Sequence, residues 1–229
     1  MSPRSDRRDE AVFTASQEEG AVEQALQWSP SAGKVKDAVL IRRAARESFY
    51  SAAHPTRSLY VLVAGQVAIV RSTQDGKRLV TDILRAGGVF GDLSLGGATT
   101  EGEVADALTD SRALMLDSER ANTLFGSDPE FAGRLLAAVG ERLTVTCDRF
   151  EELAFSPVET RLASSVLRVA GQAGGTAAVT HQFLADSAGA YRETVTRVLG
   201  ELQLRNILRL DRCSIEIRDP RALAAMTSR

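Results

Sequence analysis

The sequence predicts an α+β chain built as an antiparallel β-roll of jelly-roll type, then one long helix, then a winged helix-turn-helix. Three observations carry this. Short runs of aliphatic and β-branched residues, punctuated by glycine, fill the stretch from Lys34 to about Leu116. A heptad pattern follows Asp128-Pro129. The remainder reads in order as helix, helix-turn-helix and β-hairpin. The expected divisions are an N-terminal arm over 1–33, the roll over 34–127, the long helix over 128–154 and the winged unit over 155–229.

In the arm, Ser16 to Leu26 predicts a short helix ended before Pro30. In the roll, Leu59–Val63 and Gln66–Val70 flank Ala64-Gly65, and Leu79–Leu84 follows the turn signal Asp75-Gly76. Many short strands with such turns close into a barrel or jelly roll. Asp128 can cap a helix and Pro129 suits its first turn. Leu136, Val139, Leu143, Thr146, Phe150 and Leu153 then recur at alternating spacings of three and four, the a/d seam of a coiled coil. A helix of roughly 25 residues is long for a small globular domain. It also spans the gap between two domains, which favours a seam between two chains over packing on its own β-domain alone.

Ser156-Pro157-Val158-Glu159 fits a capping box with proline at the first helical position. Val158, Leu162, Val166 and Val169 mark one face of the helix that follows, and Gly171 ends it. Thr180 caps a short helix through Ala188, Gly189 makes a tight turn, and a second helix runs from about Tyr191 to Arg205. Ile207–Leu210 and Ser214–Arg218 form strands about Asp211-Arg212. Ile215 and Ile217 alternate with Glu216 and Arg218, so one face is buried and the other wet.

Composition excludes several classes. The 229 residues are 44% hydrophobic and 25% charged, ordinary for a globular protein. No run approaches the ~18 apolar residues of a membrane span. No apolar stretch follows the charged opening Met1 to Glu10, so the expected location is the cytoplasm, without a secretory leader. Cys147 and Cys213 are too few for a disulfide framework or a four-thiolate cluster. Cys147 is expected as a small buried side chain on the long helix. His54, in a loop before Pro55, cannot pair with the distant His181. No catalytic constellation, metal site or cofactor is expected, and the chain is not predicted to be an enzyme. The net charge is -2, yet residues 156–229 carry 10 arginines, no lysine and 7 acids. A basic C-terminal part on an acidic body suits a nucleic-acid-binding module.

The helix from Tyr191 sharpens that expectation. Arg192, Glu193, Thr196 and Arg197 share one face near its start, while Val195, Val198, Leu199 and Leu202 cover the opposite face. A recognition helix presents its N-terminal residues to base edges. Arginine offers a fork to guanine O6 and N7, and glutamate accepts from cytosine N4. The competing use is a Glu193–Arg197 pair within the helix, worth about 0.3 kcal/mol.

The segment Gly189 to Gly200, with its Arg192-Glu193-Thr194-Val195-Thr196-Arg197 core, resembles the recognition helix of the Crp-Fnr superfamily of bacterial transcription regulators. Leu202, Ile207, Arg209-Leu210 and Ile215-Glu216-Ile217 resemble that family's wing. Gly87-Gly88-Val89-Phe90-Gly91-Asp92-Leu93 resembles its phosphate-binding cassette, and the likeness covers roughly 38–220. The resemblance implies a cyclic-nucleotide-binding-like roll, a homodimer through the 136–153 seam, and a regulator of double-stranded DNA. It places Arg192, Glu193 and Arg197 on the bases of a TGTGA-N6-TCACA-like palindrome, with Thr194, Tyr191, Thr196, Thr180, His181 and Gln182 as neighbouring contacts. A loop such as Gly171–Ala178 would touch RNA polymerase in an activator.

Departures from the family pattern matter. Tyr191 replaces the usual Ser or Thr before the arginine, and Phe183 stands where an acid would complete a capping box with Thr180. Members that bind cyclic AMP carry an Arg-Ser pair after the cassette glycine and glutamate. Here Asp92 follows Gly91, and Glu101-Gly102 stand at the Arg-Ser place with Glu103 next. A glutamate repels a phosphate strongly at low dielectric. Binding of DNA without cyclic AMP is therefore expected, unless Arg112 or Arg120 reaches in, and the glycines read as turn punctuation. The alternative is a regulator that depends on a cyclic nucleotide or another small molecule held in the roll.

Overall fold

The computed structural model describes residues 38–73, 75–95, 100–171 and 175–227. The arm and its expected helix lie outside the described residues. Eight short strands build the roll: β1 (Val39–Arg43), β2 (Ser48–Tyr50), β3 (Leu59–Ala64), β4 (Val67–Ser72), β5 (Arg78–Leu84), β6 (Val89–Gly91), β7 (Glu103–Ala107) and β8 (Ser111–Leu116). They form two antiparallel four-stranded sheets, ordered β1-β8-β3-β6 and β2-β7-β4-β5.

The apolar run of β3 is buried on both faces, which is why it shows no alternation. Tyr60 and Leu62 face the roll interior with Phe49, Tyr50, Ile69 and Phe90. Leu59 and Val61 face outward, beneath a cover of two helices. Inside, the Tyr60 and Phe90 rings stack with centroids 5.0 Å apart, and Phe49 meets Phe90 edge-on at 5.2 Å. Gly91 is required here by crowding. It lies in β6 opposite Leu59, at φ +87°, and a Cβ would come 2.3 Å from the Ser58 carbonyl oxygen. That differs from the expectation of turn punctuation.

The first covering helix, α1 (Ser118–Ser127), is absent from the sequence expectation; the Asp117 side chain caps it by accepting from the Arg120 amide. Asp128 caps the long helix α2 (Pro129–Phe155) as expected, accepting from Glu130 and Phe131 amides. Its 27 residues span about 40 Å. Phe131 and Leu135 bury its first turns against β3 and α1.

The capping box expected at Ser156 does not form. Ser156 instead closes α2, its N–H donating to the Glu152 carbonyl, and α3 (Val158–Ala170) starts behind Pro157 with no side-chain cap. The Ser156 carbonyl accepts from Arg161, which holds the corner. After β9 (Thr176–Ala177) come α4 (His181–Ala188) and α5 (Arg192–Leu204), then the hairpin β10 (Leu208–Asp211) and β11 (Ser214–Ile217), and a short α6 (Pro220–Ala225). The wing is a three-stranded sheet, β10-β11-β9; the expectation held only its hairpin. Leu162, Val166, Leu184, Val195, Leu199, Leu202 and Ile215 form the core of this second unit.

Candidate nucleic-acid interface

The turn between α4 and α5 sets the reading head. Gly189 adopts φ +56°, and the Ala190 amide donates back to the Ala185 carbonyl at 3.0 Å. Leu184, Ala185, Val195, Val198, Leu199 and Leu202 are buried in the core behind the turn. The opposite side of α5 is therefore turned outward, and Tyr191, Arg192, Glu193, Thr196 and Arg197 are all exposed. Thr194 is half-buried. The Tyr191 side chain makes no capping hydrogen bond, so α5 begins uncapped.

Arg197 does not pair with Glu193. Its Nη1 lies 2.5 Å from Glu201 Oε1, and its Nη2 lies 3.9 Å from Glu159 Oε1. The Glu201 contact is also an i,i+4 pair, one turn further along the helix, and Glu193 is exposed near the helix start. His181 Nδ1 and Thr196 Oγ1 are 3.0 Å apart, tying the starts of α4 and α5. Thr180 Oγ1 accepts from the Phe183 amide, and Gln182 donates to Asp186. Arg192, Glu193, Thr196 and Arg197 thus share the exposed side of α5, with His181 joined to it through Thr196, and a fork-bearing arginine stands next to a carboxylate. Such a pair can donate to one base edge and accept from another.

The residues of the seam expected along α2 differ in exposure. Leu136, Leu143 and Phe150 are 61%, 64% and 72% exposed. Thr146 is exposed with its hydroxyl donated to the Arg142 carbonyl. Val139 is half-buried against the Leu59–Phe131 cluster, and Leu153 is turned toward Gly189, whose Cβ, if present, would sit 2.6 Å from it. The exposed stripe reads Leu136, Gly140, Leu143, Cys147, Phe150 and Ala154, again at alternating fours and threes. Cys147 is therefore exposed in the single chain, not buried as expected; Cys213, at φ +58° in the wing turn, is exposed as well.

The cassette region carries groups that sequence reasoning missed. Glu101 is exposed, so it is not the carboxylate that faces the roll interior. That role falls to Glu103, 8% exposed, which accepts from Tyr50 Oη at 2.6 Å. Tyr50 Oη in turn accepts from the Gly91 amide at 3.2 Å. Arg142 reaches in from α2, 3.5 Å from Glu103 and 3.8 Å from Asp82, and Arg71 lies 3.9 Å from Glu103. Burial, reinforced by the Glu103 charge, pushes the Tyr50 phenol far above its ordinary range, so it remains a donor. Burial also raises the Asp82 carboxyl, opposed by the Arg142 guanidinium. Arg142 and Arg149 recur seven residues apart on the side of α2 that faces its own chain. That charged repeat was the available signal. Asp92 is buried and accepts from the Ser94 amide at 2.9 Å, and Gly102 sits at φ +72°.

Among the described residues, no helix is long and apolar enough to cross a membrane. Residues 160–226 match the Crp-like helix-turn-helix domain family, and residues 41–128 match the cyclic nucleotide-binding domain family. The chain is 30% identical over 183 residues to a CRP-like cAMP-activated global transcriptional regulator of Mycobacterium tuberculosis, covering 76% of this chain and 82% of that one. It is 30% identical over 164 residues to the cyclic AMP receptor protein of Thermus thermophilus, covering 71% and 76%. The fold superposes on a CRP/FNR-family transcriptional regulator from Thermus thermophilus with a TM-score of 0.72 at 25% identity, covering 83% of this chain and 99% of that one. The chain belongs to the Crp-Fnr superfamily: it is a transcription regulator with a DNA-binding helix-turn-helix, and not an enzyme.

Proposed function

We propose that this regulator works in the cytoplasm as a homodimer, binds a TGTGA-N6-TCACA-like palindrome without cyclic AMP, and activates transcription through contact with RNA polymerase. The observation that carries the DNA reading is the outward face of α5, where Arg192, Glu193 and Arg197 stand exposed over a buried core. On it, the two arginines read guanines and Glu193 reads a cytosine of the complementary strand. His181, Thr194, Thr180, Gln182 and Tyr191 lie within reach of the flanking phosphates. Two copies of the α2 stripe, facing each other, remove Leu136, Leu143 and Phe150 from water and set two reading heads about one helical turn apart.

Independence from cyclic AMP rests on charge. A cyclic phosphate entering beside the cassette would meet the buried Glu103 carboxylate and a Gly91 amide already donated to Tyr50. The Arg142 guanidinium that could neutralise the phosphate is shared between Glu103 and Asp82. A cyclic nucleotide is thus a poor fit to these residues. Calorimetric titration with cyclic AMP is expected to give no saturable heat, and a mobility shift on the palindrome is expected with no ligand added. Saturable micromolar binding of cyclic AMP would contradict the charge argument. It would favour the second reading, effector dependence, for which Arg142 is the specific observation: released from Glu103, it would face the phosphate.

A further inference from the structure

Phe183 is unexplained within α4 itself. An acid there would add a second cap, and only Thr180 caps the helix. The reason lies across the domain boundary. Phe183 packs both on the core of the winged unit and on Ala68, Val70 and Val80, with Ile83, Val104 and Leu108 around them. Val67 and Ile69 fill the roll interior, so Ala68 and Val70 lie on the outer face of their sheet. That outer face is apolar where strand alternation would otherwise make it wet, and α4 is what covers it.

Polar contacts give the docking a direction. The Arg149 guanidinium, on α2, donates to the Val80 carbonyl at 3.0 Å and the Ser187 carbonyl at 2.5 Å while holding Glu152 at 2.8 Å. One side chain thus ties roll, long helix and helix-turn-helix. Arg78 of β5 lies 3.7 Å from Asp186 of α4 and 3.1 Å from Asp106 of β7. Arg85 donates to the Arg168 carbonyl at 2.7 Å. Burial, together with the neighbouring Arg149 charge, lowers the Arg168 guanidinium to about 10.

We propose that Phe183 is a docking plug, a positioning residue that seats the helix-turn-helix on the outer sheet face of the roll and so fixes the pose of α5 with no ligand bound. This rests on the reading of ligand-independent DNA binding. A hydrophobic contact has no directional requirement, and the Arg149 and Arg78 contacts select one orientation from those it permits. The docked state is then the default of the chain rather than a state an effector must induce.

The test uses the full-length protein. Phe183→Glu removes the apolar plug and brings a charge to the face of Ala68, Val70 and Val80, at a first-turn position of α4 where an acid is locally favourable. Phe183→Leu keeps the plug apolar. Calorimetric unfolding is expected to show one endotherm for the wild type and for Phe183→Leu, and two for Phe183→Glu, as the units uncouple. Ligand-free affinity for the palindrome should fall by about tenfold in Phe183→Glu if the docked pose drops to about one tenth of the population. Phe183→Leu should stay near wild type. If Phe183→Glu does not accumulate as folded protein, Phe183→Ala carries the same two readouts. A single endotherm with unchanged affinity would overturn the proposal. Two endotherms with unchanged affinity would overturn the claim that the docked pose is the reading pose. If the wild type itself fails to bind DNA without ligand, the parent reading falls, and docking is judged on the endotherms alone.

Discussion

Leu143→Asp is expected to yield a monomer at micromolar concentration that binds the palindrome poorly. Leu143 is 64% exposed in the single chain and sits mid-stripe between Leu136 and Phe150. Its own domain gains little from it, so the variant should still fold, and its unfolding temperature should fall only by what association contributes to the dimer. In a dimer, the substitution brings two carboxylates together in a desolvated seam, each without a partner. Losing the dimer removes the advantage of engaging two half-sites at once, a factor of about a hundred to ten thousand in affinity. Sedimentation of the purified variant reads the first effect, and a mobility shift reads the second. A variant that remains dimeric would displace the interface from α2.

Arg192→Ala should produce the larger loss on the reading face. A good bidentate contact to guanine is worth about 1–3 kcal/mol per half-site, so a symmetric operator loses about twice that. Arg197→Ala should cost less. To reach a base, Arg197 must surrender its 2.5 Å contact with Glu201 and its longer one with Glu159, and that exchange offsets part of the gain. Fluorescence anisotropy on the palindrome, with each guanine changed in turn, separates the two. Arg192→Ala should flatten the preference at one guanine and not at the others. A uniform loss across all sequences would reassign Arg192 to a phosphate contact.

Much of the fold was legible because local chemistry and tertiary context agree. Asp128-Pro129 marks the start of α2, Thr180 and Gly189 bracket α4, and the opposed faces of α5 follow from simple helical spacing. The misses fall where tertiary contacts decide. Val139 and Leu153 satisfy the heptad arithmetic, yet the roll claims one and Gly189 the other. A helix with two neighbours has two apolar stripes, and spacing alone merges them. Glu101 and Glu103 are two residues apart, and only the pairing of β7 with β4 and β2 turns Glu103 inward and leaves Glu101 outside. Tyr50 and Arg142 come to the cassette from sequence positions far on either side of it, so no local motif could announce them. Ser156 shows the reverse case, a sound capping signal overridden because the same residue terminates the preceding helix.

The central claim is that two copies of α5 read a symmetric operator with no nucleotide bound. Selection of binding sites from random double-stranded DNA by the purified wild-type protein, in buffer free of cyclic AMP, tests it most directly. The account predicts enrichment of a two-fold symmetric sequence with GTGA-like halves about one helical turn apart. Enrichment of a motif with no GTGA-like core, or enrichment only after cyclic AMP is added, would contradict it.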